Sequence, residues 1–446
     1  DDLTRLTLVA RTRYTPGEAI DAVPIVLAAE RYRHMPALTP AEVREAFPRG
    51  FSPGGLDDLV VTVDGVRCDV PPAPIGAYGE TMLLCPRAVA ASQTVEVESR
   101  ATLIVPERYG GFGKVGRQVT LAGGWFPQVA RPKHAPPRGP WTVQLELPAT
   151  SSAVIGERYR PSPGSDGRRT ITAAGEGAQI PLVVRPAGTY ALSIAEGRAR
   201  FLGGRASENV RNAAIPTLGD QVRAAIEDGL RLAAQIGLPE PTPQRPLILI
   251  EAPLRHALTE SAEGMVLVSD HAFRMIEVDR FLRFHRLPLL GDAFACLAAR
   301  ALGPEVIGRG LSADVAGAYA LDRYVVARYG GAEDAFDVLG IVSFIPSIDQ
   351  LLYAPDLAFA GAYFRNVPEA HPLKPDFLDF PLDFPRGHHV YEKLRDQIGR
   401  PRAEAIVART LKGEGLIAAI ERGWPEGAPA FLATWLGPYP CLLYTS

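Results

Sequence analysis

From Asp1 to about Gly204, apolar and polar residues alternate in short runs separated by Pro and Gly clusters, the period-two pattern of strands with one buried face. The runs are Leu6–Tyr14, Pro24–Arg33, Leu59–Val70, Thr81–Val89, Thr94–Val105, Val119–Gly123, Trp141–Pro148, Arg169–Thr172, Gln179–Arg185 and Tyr190–Arg200. Their regular spacing predicts a large antiparallel sandwich or saddle-shaped sheet, with Arg131–Gly139 as a surface loop. At Arg205 the period changes to about 3.6 residues, and Leu218, Val222, Ile226, Leu230 and Ala233 predict a long amphipathic helix that ends at Gly237. Two short strands, Pro246–Glu251 and Gly264–Ser269, come next. The remainder reads as helical through Leu436, crossed by a Pro- and aromatic-rich loop at Pro368–Pro385. The expected fold is α+β, with a β-saddle domain over 1–204 and a mostly helical lobe with a small sheet over 205–440.

The stretch Val278–Gly303 (V-D-R-F-L-R-F-H-R-L-P-L-L-G-D-A-F-A-C-L-A-A-R-A-L-G) organises the second half. Pro288 deletes a backbone hydrogen bond inside a helix and costs about 3 kcal/mol there, so a helix beginning at Pro288 is expected. From that point Leu290, Ala293, Phe294, Leu297, Ala301 and Leu302 form one apolar stripe, the mark of a buried helix.

Composition narrows the possibilities. The 446 residues are 47% hydrophobic, enough for two or three domains with well-buried cores. A net charge of −3 gives no basic surplus for nucleic acid and no acidic tract. No run reaches the roughly 18 apolar residues of a membrane span; the nearest approach, Val338–Phe364, is broken by Pro346, Asp349, Pro355 and Asp356. The chain is expected to be a fragment of a longer one, with Cys441–Ser446 a non-native, adapter-derived tail. Of the other cysteines, Cys296 sits on the apolar stripe as a small core residue. Cys68 and Cys85, on consecutive predicted strands, are able to pair in an oxidising compartment, a lean toward the cell envelope or the exterior.

Several stretches, in order, resemble the gluzincin zinc aminopeptidases, the membrane alanyl aminopeptidase family. Gly124-Trp125-Phe126-Pro127 resembles that family's aromatic and proline turn, and Trp141–Pro148 its following strand. Pro246–Pro253 is similar to the edge strand that carries substrate, and Ala428–Leu436 to the end of the catalytic domain. The resemblance implies a thermolysin-like lobe, a cleft between lobes, and zinc held by H-E-x-x-H plus a carboxylate. His285 stands at the first zinc histidine, Arg286 at the general base and Leu289 at the second histidine. Asp314, in Asp314–Tyr319, stands at the carboxylate ligand, several residues farther along than the family spacing. Thr259–Gly264 occupies the place of the peptide-amine loop and offers Glu260 or Glu263 to a substrate cleft. Tyr391-Glu392-Lys393 looks like the segment of the transition-state tyrosine, whereas the register set by Ile398-Gly399 puts Gly387 on the family's glycine and Phe384 on that tyrosine.

Catalytic zinc takes three protein ligands and an open position for water. A divalent ion about 5 Å from the Arg286 guanidinium meets roughly 6 kcal/mol of repulsion at an effective dielectric of 20, and arginine keeps its proton. A degenerate member of the family is therefore expected, catalytically inactive, with no metal and with a peptide or protein partner in the cleft. The alternative is an active zinc aminopeptidase drawing ligands from His271, His285 and Asp314 or Glu277. Other motifs carry less. Gly111–Gly116 matches G-x-G-x-x-G by letter but is expected to be a β-turn, since no helix follows to hold a pyrophosphate. His388 and His389 offer metal donors together with His371, but adjacent residues at a helix start point in different directions and a solvated or capping role is expected of them, and Asp270-His271 carries no triad implication. No G-x-S-x-G elbow occurs.

Overall fold

The computed structural model describes residues 3–35, 43–44, 46–75, 81–129, 139–177, 179–186, 190–204, 217–255, 257–272, 279–302, 309–329 and 383–435; of residues 190, 279–285, 309–310, 383–386 and 388–389 it describes the backbone alone. In chain order the strands are β1 (Arg5–Tyr14), β2 (Ile20–Leu27), β3 (Gly55–Val63), β4 (Val66–Arg67), β5 (Ala73–Pro74), β6 (Thr81–Val89), β7 (Val95–Ile104), β8 (Phe112–Val115), β9 (Gln118–Leu121), β10 (Gln128–Val129), β11 (Gly139–Pro148), β12 (Ser151–Ile155), β13 (Arg158–Arg160), β14 (Arg168–Gly177), β15 (Leu182–Pro186), β16 (Tyr190–Ile194), β17 (Ala199–Gly203), β18 (Leu247–Ala252), β19 (Thr259–Ala262) and β20 (Met265–Ser269). The helices are α1 (Leu218–Ala233), α2 (Asp279–Ala301), α3 (Arg309–Tyr329), α4 (Asp383–Ile398), α5 (Arg400–Thr410), α6 (Leu416–Gly423) and α7 (Ala428–Trp435). This is a mixed α+β fold. No helix among the described residues is long and apolar enough to cross a membrane.

Antiparallel sheets β1-β7-β3-β4 and β10-β2-β6-β5 share a core of Val23, Ile25, Leu83, Val97 and Leu103. The alternation of apolar residues in β7, where Val95, Val97, Ala101 and Leu103 are buried, gives that face directly. Cys68, whose amide donates to Val61 O of β3, forms a disulfide with Cys85 of β6 and so joins the two sheets. The sheet β13-β12-β15-β9-β8 then passes the chain toward the helical lobe.

Three strand expectations and one turn expectation change for local reasons. The Leu59–Val70 run is a hairpin, β3 and β4, closed by Asp64 (φ 48°) and Gly65 (φ 78°), the left-handed pair that an Asp-Gly turn favours. Tyr190–Arg200 is likewise a hairpin, since Ala195, Glu196 and Gly197 all take positive φ between β16 and β17. Pro24–Arg33 leaves the sheet at Leu27 for a 3-10 turn over Ala28–Tyr32, where Glu30 accepts from the Leu56 amide at 2.7 Å and Tyr32 stacks on Phe112 at 4.3 Å. Gly111–Gly116 is mostly strand β8 rather than turn, with the turn itself at Gly116 (φ 59°) before β9.

The sheet β16-β17-β18-β20-β19 positions the site. Its central strands β18 and β20 are buried along their whole length because both faces are covered. Phe201, Leu247, Leu249, Val266 and Val268 face the helices, while Leu202, Ile248, Ile250, Met265 and Leu267 face Val154 and Val183 of β12 and β15. The change of period at Arg205 therefore does not coincide with an edge of this sheet, which holds strands from both sides of it. On the helical face, α1 begins with a capping box, Thr217 and Asp220 bonding reciprocally to each other's backbone amides, and buries Val222, Ile226 and Leu230. Each such side chain contributes about 1.5–3 kcal/mol.

Helix α2 starts at Asp279, not at Pro288, which lies inside it. Leu287, Leu289 and Leu290 around the proline are each 0% exposed, and this packing offsets the missing hydrogen bond. Helix α3 approaches it closely at Gly317, where an added Cβ would lie 2.9 Å from the Ala295 backbone nitrogen.

Candidate functional site

The candidate site lies where α2, itself packed on α3, meets the edge strand β19. Thr259 and Glu260 begin that strand, and the period of two sends their side chains to opposite faces. Thr259 faces Asp292 of α2. Glu260 points to the β lobe, where its Oε1 would lie 2.2 Å from a Cβ placed on Gly111. Only a glycine at 111 leaves room for that carboxylate, which is 8% exposed. Glu263 also reaches the β lobe: its Oε2 accepts from the Gln179 amide at 2.8 Å, and a Cβ on Gly177 would lie 2.9 Å from its Oε1. Both carboxylates offered to a cleft by the sequence thus contact glycine backbone of the other lobe.

Several polar contacts fix the same seam. Gly110 donates to Pro253 O at 3.0 Å, Gln118 Nε2 to Glu251 O at 3.1 Å, and Gly204 N to the Glu251 carboxylate at 2.7 Å. Arg255, paired with Asp270, lies over the Tyr109 ring with its guanidinium carbon 4.3 Å from the centroid. Glu157 holds both Arg245 (2.6 Å) and Arg300 (3.1 Å) at the end of α2. The Gly124–Pro127 turn is anchored by Trp125, whose indole donates to Ile180 O at 2.6 Å.

Of the positions singled out for metal chemistry, Arg286 is partly exposed on α2, and Leu289 is fully buried in the core of the helical lobe. Asp314 is 5% exposed on α3 and meets α4 at Gly387, where an added Cβ would lie 2.3 Å from the Asp314 Cβ. The side chains of His285, Phe384, His388 and His389 lie outside the described ones, as do Glu277 and His371 altogether. His271, partly exposed after β20, has Nε2 3.9 Å from its neighbour Asp270. Among the described residues no group of three or more His, Cys, Asp or Glu side chains is placed to hold a metal ion.

Tyr391, a cleft candidate by resemblance, is 0% exposed on α4, its ring edge-on to Tyr319 of α3. Its hydroxyl donates to Asp322 at 3.2 Å, and Asp322, itself buried, also accepts from Arg395 (3.2 Å) and Arg400 (2.7 Å). Burial, then the Asp322 charge, pushes the phenol well above the usual tyrosine range. This cluster clamps α3, α4 and α5 together.

Sequence reasoning missed Asp292. Its signal was a lone acid in the apolar run Leu289–Ala299, one helical turn before Cys296. Burial pushes its carboxyl up to about 7, an effect the Thr259 hydroxyl partly offsets without closing a hydrogen bond of ordinary geometry. Cys296 is a buried core thiol, as expected, and donates to the carbonyls of Met265 (3.3 Å) and Ala262 (3.7 Å). Burial, then Asp292, pushes that thiol strongly up.

No protein-family model matches the chain, and neither does any curated protein. Among solved structures it is similar to an M1 zinc metallopeptidase from Deinococcus radiodurans, at 13% identity over 98% of this chain and 90% of that one, with a TM-score of 0.53. A mutant of the D. radiodurans enzyme bound to a Tyr-Ser-Ala substrate gives 14% identity, 98% and 91% coverage and a TM-score of 0.54. A two-domain M1 zinc metallopeptidase mutant bound to L-tryptophan gives 12%, 98%, 90% and 0.51. Over nearly its whole length, the chain has the fold of the M1 zinc metallopeptidases.

Proposed function

We propose that this chain is a peptidase scaffold without peptidase chemistry, which holds a peptide or a segment of a partner protein between its lobes. The observation that carries this reading is Leu289. It occupies the position of the second zinc histidine in the resemblance, and its side chain is enclosed with Leu290 and Phe294 in the core of the helical lobe. A leucine there has no lone pair for a metal and no access to one. Arg286 stands at the position of the general base and brings a permanent positive charge. Among the described residues no set of His, Cys, Asp or Glu side chains supplies the three protein ligands that a catalytic zinc takes. The fold supports the binding half of the reading: one structure it resembles was obtained with a Tyr-Ser-Ala substrate.

The test is a pair of assays on the full chain. Aminoacyl-anilides should be left uncleaved with zinc present, with or without chelator, while short peptides immobilised by their C-termini retain the protein. Chelator-sensitive turnover would overturn the reading in favour of an active enzyme with unusual ligands. Inactivity together with no peptide retention would leave only the structural half standing.

A further inference from the structure

Asp292 projects from α2 into the seam against β19. It is 1% exposed, and neither carboxyl oxygen has a hydrogen-bond partner among the described residues. A carboxylate so placed has lost its hydration and gained in exchange only the partial offset from the Thr259 hydroxyl, which favours the protonated form there. The groups around it do not change this. Thr259 faces it from β19 with a neutral hydroxyl; Glu260, the next residue, points the other way, against Gly111. Cys296, on the same helix, is a neutral thiol that itself feels Asp292, Asp314 on α3, Glu157 and Arg300. Arg300, the cation in this set, is engaged by Glu157 and by the carbonyls of Arg245 and Pro246.

We propose that Asp292 is a proton-operated latch: protonated, it lets α2 seat against β19, and ionised, its unbalanced charge drives the seam apart and uncovers Cys296. The closed seam binds the proton more tightly than the open one. Its advantage is complete below the ordinary carboxyl range and is lost as pH rises from there through about 7, where Asp292 ionises when closed. Opening therefore increases about tenfold per pH unit over that window and levels off above it. The latch stands apart from the peptide-binding reading, since it uses none of the residues at the zinc positions.

Cys296 reports the opening because its thiol is sealed against the β19–β20 turn. The full chain is treated with a dipyridyl disulfide, which attacks thiols in acid and at neutral pH. The rate at Cys296 is followed by peptide mapping, apart from Cys441, and divided by that of the unfolded chain at the same pH. The normalised rate should rise about a hundredfold from pH 5 to pH 7 and flatten above. Asp292→Asn should abolish the rise. Thr259→Val, which removes the hydroxyl that favours ionisation, should move the plateau to higher pH and keeps the test alive if the asparagine variant does not fold. A flat wild-type profile, an unchanged slope in D292N, or a plateau unmoved in T259V would each overturn the latch.

Discussion

Gly387→Ala tests the closest helix approach beside the candidate site. The new methyl would lie 2.3 Å from the Asp314 Cβ, 2.7 Å from the Asp314 carbonyl carbon and 2.9 Å from the Val315 nitrogen. Carbon atoms in contact settle at about 3.5–4.0 Å, so α3 and α4 must part by more than an ångström. Two of the three obstructing atoms are backbone, which no rotamer change can move. Overpacking of this kind costs about 1–3 kcal/mol, and the rigid neighbours place G387A at the upper end. Alanine's better helix propensity returns about 1 kcal/mol. The net expectation is a loss of about 2 kcal/mol, read as a lower urea midpoint in the helical circular-dichroism signal at unchanged slope. Gly229→Ala is the control: the three atoms nearest its Cβ, the Leu290 Cδ2 at 2.4 Å and two Phe294 ring atoms at 3.5 Å, belong to side chains able to shift, so its loss should be smaller. If G387A is as stable as the parent, or more so, the close approach is not real and the register that brings α4 onto Asp314 is wrong.

Three further outcomes follow from the described contacts. Free-thiol titration of the unfolded, unreduced chain should count Cys296 and Cys441 alone, and reduction of Cys68–Cys85, separated by 17 residues, should cost the β lobe about 3 kcal/mol; four free thiols would contradict the bridge. Asp322→Ala strips one buried carboxylate from Arg395, Arg400 and the Tyr391 hydroxyl, Arg395 keeping Asp396, and should cost about 3–5 kcal/mol by equilibrium unfolding, against about 1 kcal/mol for Tyr391→Phe; similar losses for the two would show that the arginines do not depend on Asp322. Gly111→Ala should destabilise the parent by about 1–3 kcal/mol but much less in a Glu260→Ala background, because the clash is with that carboxylate; an additive double-mutant cycle would dismiss the contact.

The parts of the fold legible in the sequence were those where one period persists. Helix α1 follows from Leu218, Val222, Ile226 and Leu230 with Gly237 beyond its end, and Val95–Ile104 from strict alternation. Errors gathered where local chemistry competed with period. The Asp64-Gly65 pair is a hairpin signal inside an otherwise continuous apolar run; the Ala195-Glu196-Gly197 turn carries no such signal, since two of its three left-handed residues are not glycine. Pro288 argued for a helix start, and tertiary burial of Leu287, Leu289 and Leu290 prevailed. Short β12 and β13 went unread because Ser151 and Ser152 carry no strand signal of their own and are held by pairing with β15.

At the site, sequence gave residue types and order but not orientation. Glu260 and Glu263 read as cleft candidates, while Pro246–Pro253, which reads as the edge strand, supplies the central strand β18; which way each carboxylate points depends on Gly111, Gly177 and Gln179, about 80 to 150 residues earlier in the chain. Tyr391 illustrates the converse. A tyrosine before Glu-Lys reads like a catalytic group, and its distant partner Asp322 makes it part of the core.

The central claim, that the metallopeptidase fold here lacks a metallopeptidase's metal centre, is tested most directly by zinc stoichiometry. The full chain is incubated with excess zinc, desalted and analysed for metal per protein. Far less than one bound zinc per chain is predicted. One zinc per chain, removed by chelator and absent from a His285→Ala variant, would contradict it.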